Sequence, residues 1–247
     1  SGPIYIQEQN SIPGSTNKLL VKYKKIKKIF CGFPKTQEFF EGKKAVFSGN
    51  LINLDVQKVK KKNAVPNELN IKIMGGSLGA RLINKTVPKV FSKLTQAFPD
   101  FKFVLSHQCG KGNLEETKSF YDPYKTNFDL KLFEFEESME SFYSNADLII
   151  SRAGALSVSE ICETQNIAIF IPLKNSIDNH QYENAKFLVE KNSAFICEEY
   201  LLEENLKRLL FEIVKTPEIL EDMKKNISKV SLTDQKNIIV KKILSNE

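Results

Sequence analysis

The feature that most constrains this chain is a regular alternation, from Ile71 onward, of short apolar runs with longer stretches of helical periodicity. Residues 71–74, 101–106, 130–135, 148–151, 168–172 and 194–197 read as strands. Between them, helical patterns cover 88–98, 114–121, 139–145, 156–165 and 179–191, and more close the chain from 202 to 244, interrupted near Pro217 and Ser231. Each strand must return over the sheet before the next begins, so such alternation requires a parallel sheet with helices on both faces. The expected class is α/β, with a Rossmann-like parallel sheet. Ligands of such folds sit beyond the carboxyl ends of the strands, so function is sought in the segments that follow each strand.

The first 52 residues fit this pattern less well. They hold strand-like runs at 4–6 and 45–47 but too few elements for a complete domain. The lysine-rich stretch from Lys58 to Asn63, followed by Pro66, reads as a linker or exposed turn. The expected division is 1–52 and 53–247. The opening Ser1-Gly2-Pro3, without Met, reads as the start of a fragment or processed chain.

Charge is unevenly placed along the chain. Residues 1–62 carry thirteen Lys against four acids, a net +9, and the rest carries 23 basic against 26 acidic residues, a net −3, which together give the overall +6. The basic excess is densest from Lys18 to Lys28, where Leu19, Leu20, Tyr23 and Ile26 are interleaved. Two readings stand: a segment that meets anionic lipid or phosphate, or a solvated basic helix face on its own domain. Nucleic acid is not expected, because no aromatic stacking motif accompanies the lysines. No apolar run approaches the ~18–20 residues of a membrane span, and no secretory signal is present. Four scattered cysteines without a C-x-x-C pair, and only two histidines, exclude a Cys/His metal cage and suit a reducing compartment. No metal or cofactor is expected.

Three segments after strands carry chemistry. Gly75-Gly-Ser-Leu-Gly-Ala80 gives backbone that can approach a phosphate closely and offer N–H groups, or else makes a tight turn with no ligand. Its glycine spacing is neither that of a dinucleotide fold nor that of a Walker loop. Ala146-Asp-Leu-Ile-Ile-Ser-Arg-Ala-Gly-Ala-Leu-Ser-Val-Ser-Glu160 runs from strand to helix start, a place that favours an anion. There Glu160 either accepts two hydrogen bonds from a ribose diol or closes a capping box with Ser157. Asp178, Gln181 and Asn184 fall at three-residue spacing, which suits sugar hydroxyls, although Asp178 and Gln181 also make a capping box. His180 reads as structural. His107-Gln-Cys-Gly110 reads as a loop turn more readily than as a catalytic site. No Ser/His/Asp set can be assembled.

Taken together these segments resemble the MurG family, whose members transfer N-acetylglucosamine from UDP-N-acetylglucosamine onto undecaprenyl-pyrophosphoryl-N-acetylmuramyl-pentapeptide. The family's Gly-Gly-Ser-x-Gly-Ala loop is matched at Gly75 to Ala80, and its His-Gln-x-Gly turn at His107 to Gly110. Its Ala-Asp-Leu block ending in Glu is matched at Ala146 to Glu160, with Ser157 in place of Thr, and its Asp-x-His-Gln-x-x-Asn-Ala at Asp178 to Ala185. Its Glu-Gln-Asn and Pro-Gly-x-x-Asn pattern is matched at Glu8 to Asn10 and Pro13 to Asn17. Each motif alone is weak, but five in order across nearly the whole chain are specific.

The resemblance implies a GT-B fold: a Rossmann-like C-terminal domain that binds the UDP-sugar, plus an incomplete N-terminal Rossmann-like domain. It implies that Gly76, Ser77 and Ser157 hold the pyrophosphate, that Phe135 and Glu136 face the uracil, and that Glu160 takes the ribose hydroxyls. The Ala155 and Leu156 amides with Gln181 and Asn184 read the sugar. Asn10 and Asn17 lie on the acceptor side, and Glu8 is the one candidate base in the chain. The enzyme is expected on the cytoplasmic face of the plasma membrane, with an anionic lipid surface as a further partner. Two departures bear on activity. The family's glycine-rich first-domain loops, with a candidate catalytic His, precede Ser1, and Gly49-Asn-Leu-Ile-Asn53 replaces Gly-Asn-Pro-x-Arg, so Asn53 stands where an Arg would contact phosphate. Gln7 stands where a His is common. Rival readings are a donor-binding subunit of a bipartite transferase and a non-catalytic nucleotide-sugar-binding module.

Overall fold

The computed structural model describes residues 2–40, 44–76, 79–124, 128–174, 176, 179–230 and 235–245, apart from the side chains of 235 and 236. Two parallel sheets organise them.

The smaller sheet has the order β1-β2-β3, formed by Ile4–Glu8, Ile26–Cys31 and Ala45–Phe47. Its central strand corrects the sequence reading. The lysine-rich stretch is not one basic helix: only Ser15–Leu20 is helical (α1), and the chain then turns and enters β2 at Ile26. The reason is tertiary: Ile26, Ile29 and Phe30 have a spacing that one helix face could also use, but together with Cys31 they are buried in the central strand between β1 and β3. Leu19 and Tyr23 are left outside, 62% and 60% exposed among the lysines.

The larger sheet has the order β6-β5-β4-β7-β8-β9, with every pairing parallel. Its strands are β4 Glu68–Met74, β5 Lys102–Gln108, β6 Asp129–Phe133, β7 Leu148–Ser151, β8 Ala168–Phe170 and β9 Ala194–Ile196. All six lie where the alternation places them, within a few residues at their ends. The helices are α2 Arg81–Ala97, α3 Leu114–Tyr121, α4 Met139–Tyr143, α5 Ala155–Glu163, α6 His180–Val189, α7 Leu202–Lys215, α8 Glu218–Ile227 and α9 Gln235–Leu244. The largest boundary difference is in α2, which starts at Arg81 and carries Pro88 inside it. Proline at a first helical turn is the usual pattern, but here the buried stripe Ile83, Val87, Val90, Phe91 and Leu94 outweighs it.

Strand order reverses between β4 and β7, the topological switch point at which two successive crossovers diverge and leave a crevice. The loops after β4 and β7 therefore flank one opening.

The stretch expected as a linker is docked. The Lys60 N–H donates to Ser144 Oγ at 2.9 Å, the Asn145 N–H returns to Lys60 O at 2.9 Å, and Lys62 pairs with Glu68 at 3.0 Å. The two sheets also share core, as Phe33 packs edge-on against Phe187 of α6 with ring centres 5.5 Å apart.

Candidate functional site

The β4 loop supplies the first wall. Gly76 has φ +87° and a side chain there would meet open space, so its backbone lies bare at the crevice. Gly79, at φ +76°, is demanded by packing instead: a Cβ would come within 2.1 Å of Cys109 O. Ser77 lies outside the described residues.

That contact explains the turn after β5. His107 is wholly buried, with Nδ1 2.8 Å from Tyr121 OH and Nε2 3.0 Å from Asn84 Oδ1. Asn84 in turn donates to Cys109 O at 3.0 Å. Burial pushes the His107 pKa down to about 3, so the ring is neutral and braces the turn on which the glycine loop rests. It is a structural histidine.

The second wall follows β7. Gly154 starts α5 with extended backbone, φ −61° and ψ 147°, and no side chain caps it. The first-turn amides, those of Ala155, Leu156 and Ser157, thus lie at a helix end with no side-chain acceptor. The loop is held by Arg152, which pairs with Glu199 at 2.7 Å and donates to Ile171 O at 3.0 Å.

Because Gly154 is the cap, Ser157 stands inside the helix and the Ser157–Glu160 capping box does not form. Glu160 instead accepts a hydrogen bond from Tyr143 OH at 2.8 Å. Burial raises its pKa, the Tyr143 hydrogen bond opposes that rise, and nearby Glu140 adds to it.

After β6, Phe135 is 65% exposed, an apolar ring at the surface, while Glu136 is mostly covered and lies 3.7 Å from Lys131. After β8, Gln181 Oε1 accepts the Leu173 N–H at 3.0 Å, which leaves its NH2 without a bond among the described residues. Asp178 lies outside them.

Asn184 departs from expectation. It is fully buried, accepts the Ser11 N–H at 2.8 Å, and donates to Asn10 Oδ1 and Ala153 O at 3.2 Å each. Its amide is spent within the protein, so it cannot read sugar hydroxyls directly. It joins the loop after β1 to the loop after β7.

Glu8 is likewise committed. It is 4% exposed and accepts from the Asn10 N–H at 2.9 Å, Asn10 Nδ2 at 3.3 Å, the Gly14 N–H at 2.9 Å and Asn17 Nδ2 at 2.9 Å. A carboxylate with four donors around it organises a loop; it is poorly placed to take a proton from an incoming alcohol. Asn10 and Asn17 serve the same loop, Asn17 also donating to Gln7 O at 3.1 Å.

Sequence reasoning missed Tyr143, Arg152 and Asn50. Asn50 donates to both Gln9 O at 3.0 Å and Ser159 Oγ at 2.9 Å, a second tie between the first segment and α5. Only the polar tip of Tyr143, in an otherwise apolar helix end, hinted at a partner. Among the described residues, no three His, Cys, Asp or Glu side chains cluster as metal ligands, and no helix is long and apolar enough to cross a membrane.

Comparison with known proteins places this arrangement. Residues 70–239 match the model of the glycosyltransferase family 28 C-terminal domain. The chain is 36% identical to a UDP-N-acetylglucosamine–N-acetylmuramyl-(pentapeptide) pyrophosphoryl-undecaprenol N-acetylglucosamine transferase of Phocaeicola vulgatus, with 98% of this chain and 65% of the relative aligned. A protein of the same name in Wolbachia pipientis is 34% identical over 98% of this chain and 68% of its own. The fold is similar to that of the crystal structure of Acinetobacter baumannii MurG, with a TM-score of 0.76 and 31% identity, covering 96% of this chain and 66% of that one. The chain thus spans about two thirds of the length of these relatives.

Proposed function

The chain belongs to glycosyltransferase family 28, and from that premise we propose that it is the donor-binding part of an enzyme that moves N-acetylglucosamine from UDP-N-acetylglucosamine to undecaprenyl-pyrophosphoryl-N-acetylmuramyl-pentapeptide, a step of peptidoglycan synthesis. The observation that carries this reading is the convergence at one switch point of the bare backbone at Gly76, the uncapped start of α5 (Ala155 to Ser157) and the half-buried Glu160.

The chemistry follows from those parts. Diphosphate oxygens are bound by loop and helix-end amides, and the helix dipole stabilises charge that grows as UDP leaves. Ser77 belongs to this group by the same reading. Glu160 accepts the ribose hydroxyls, Phe135 and the backbone of Glu136 face the uracil, and the Gln181 NH2 donates to the sugar. The acceptor hydroxyl attacks the anomeric carbon from the face opposite UDP, so configuration inverts. A base for that hydroxyl is worth ~10²–10⁴ in rate, and Glu8 is reassigned from base to loop organiser. Asn10 and Asn17 act on the acceptor side through that loop. Residues 1–52 form the acceptor-side part and 53–247 the donor domain.

A place on the inner face of the membrane is supported by the surface around α1. There a cavity of about 640 Å³ is lined by Lys18, Lys22, Lys44, Leu19 and Phe39. Cations beside exposed apolar side chains suit anionic lipid. The non-catalytic reading draws on the exposed Asn53, which puts no charge where a phosphate contact is expected.

Thermal unfolding with nucleotide sugars tests the donor site. A ligand at ~100 times its Kd adds about 2.7 kcal/mol, or a Tm rise of roughly 5–10 °C at this size. UDP-N-acetylglucosamine is expected to give that rise, GDP- and ADP-sugars none, and Glu160→Ala to remove it. A chain indifferent to every nucleotide sugar would end the proposal.

A further inference from the structure

We propose that Tyr143 is a positioning residue for donor recognition: its hydroxyl fixes one oxygen of Glu160 and so leaves the other for a ribose diol. The inference rests on the donor site proposed above and deepens it. Tyr143 OH lies 2.8 Å from Glu160 Oε2 and 3.8 Å from the Met74 sulfur at the end of β4. Among the described residues Glu160 Oε1 accepts no hydrogen bond. One oxygen is therefore oriented from below and the carboxylate plane is set before any ligand arrives.

Tyr143 is itself immobilised. It is fully buried at the end of α4, its ring meets Phe142 edge-on at 5.7 Å, and its backbone carbonyl accepts Asn166 Nδ2 at 3.2 Å. At the other end of this short helix Ser138 Oγ accepts the Ser141 N–H. A tyrosine so held cannot turn to follow Glu160; the carboxylate must come to it. Side-chain entropy that Glu160 would lose on binding is lost on folding instead.

The charged surroundings give the hydroxyl a second role. Two titratable groups face Glu160, both from α4: Tyr143, whose own pKa is raised by burial and by Glu160, and Glu140, a like charge. Burial and Glu140 favour the protonated carboxyl, which presents an O–H and accepts poorly from a diol. The Tyr143 hydrogen bond goes to the ionised form and opposes them. Orientation and ionisation are thus served by one O–H group.

The test uses this chain and Tyr143→Phe, which keeps the ring and removes the hydroxyl. The readouts are the Glu160 carboxyl titration by carbon NMR and the Kd values for UDP and 2′-deoxy-UDP across pH. In Tyr143→Phe the Glu160 titration moves upward, UDP binding weakens on the order of tenfold at neutral pH, and the preference for ribose over deoxyribose narrows. In a Glu160→Gln background the same Tyr143→Phe change has little further effect on UDP, because the partner it acts through is gone. An unmoved titration with an unchanged ribose preference would reduce Tyr143 to packing and overturn the proposal. An equal loss of UDP binding in the Glu160→Gln background would overturn it too, as a general structural effect. Should the wild-type chain bind neither nucleotide, the donor reading itself fails and takes this role with it; an upward-moved Glu160 titration identifies that case.

Discussion

Ser11 and Asn184 are 173 positions apart in sequence and are joined by a 2.8 Å hydrogen bond from the Ser11 N–H to Asn184 Oδ1, wholly inside the protein. The same amide donates to Asn10 Oδ1 and Ala153 O. One side chain on α6 thus satisfies groups on the loop after β1 and on the loop that starts α5.

Replacing it isolates those groups. Asn184→Ala leaves a buried N–H and a buried carbonyl without partners, at about 1–3 kcal/mol each before relaxation. The expected result is a clear fall in the urea midpoint, together with weaker UDP binding as the start of α5 loosens. Asn184→Asp keeps the acceptor for Ser11 but loses both donations, so it is expected to lie no higher than Ala.

Glu8 should behave as a loop organiser. Glu8→Gln loses charge and at least part of four hydrogen bonds, so a stability loss of about 1–3 kcal/mol is expected. UDP binding, measured by calorimetry, should change little, because Glu8 lies on the other loop. A chain as stable as wild type, with turnover abolished in an enzyme containing this segment, would return Glu8 to the role of base.

His107 makes a pH prediction. Its folded pKa is about 3 against 6.5 for an exposed ring, so the unfolded chain takes up the proton more readily. Stability contributed by the neutral ring is complete above 6.5 and is lost as pH falls from there toward 3. Proton NMR of the His107 ring should show no titration between pH 5 and 8, and His107→Phe should flatten the acid limb of the unfolding curve.

Glu160 has the opposite sign. Its folded pKa is raised above the unfolded value, mainly by burial, so its ionised form costs stability above that pKa, and the cost is relieved as pH falls through it. In the proposed donor role, Glu160 accepts from the ribose hydroxyls in its ionised form. UDP affinity is therefore expected to fall with decreasing pH beginning above the ordinary carboxylate range, and Glu160→Gln should remove that dependence along with most of the affinity.

The surface around α1 gives a salt-dependent prediction. Binding to anionic vesicles should weaken as salt rises, because exposed charges are screened over ~10 Å at 0.1 M. Replacing Lys18 and Lys22 with Glu should abolish it, measured by co-sedimentation. Equal binding to neutral vesicles would remove the lysines from the explanation.

What the sequence determined by itself was the parallel α/β sheet and the segments that follow its strands. Apolar periodicity records burial directly, so six strands and the start of α5 could be read from local pattern. The motif order also marked Gly76, Ala155 to Ser157 and Glu160. Tertiary structure alone decided how polar side chains are used. Ser157 with Glu160 had a lawful local meaning as a capping box, which the fold sets aside by making Gly154 the cap and bringing Tyr143 across from α4 to Glu160. Asn184 and Glu8 carried the residue types of a sugar reader and a base, yet both are consumed by partners within the protein, Asn184 by groups on distant loops and Glu8 by the folded turn that follows it. The strand at Ile26 was hidden for the same reason, since its lysines are local and the sheet that buries its isoleucines is not. A polar group's role depends on which donors and acceptors the folded chain brings within about 3 Å, and that is a property of the packing.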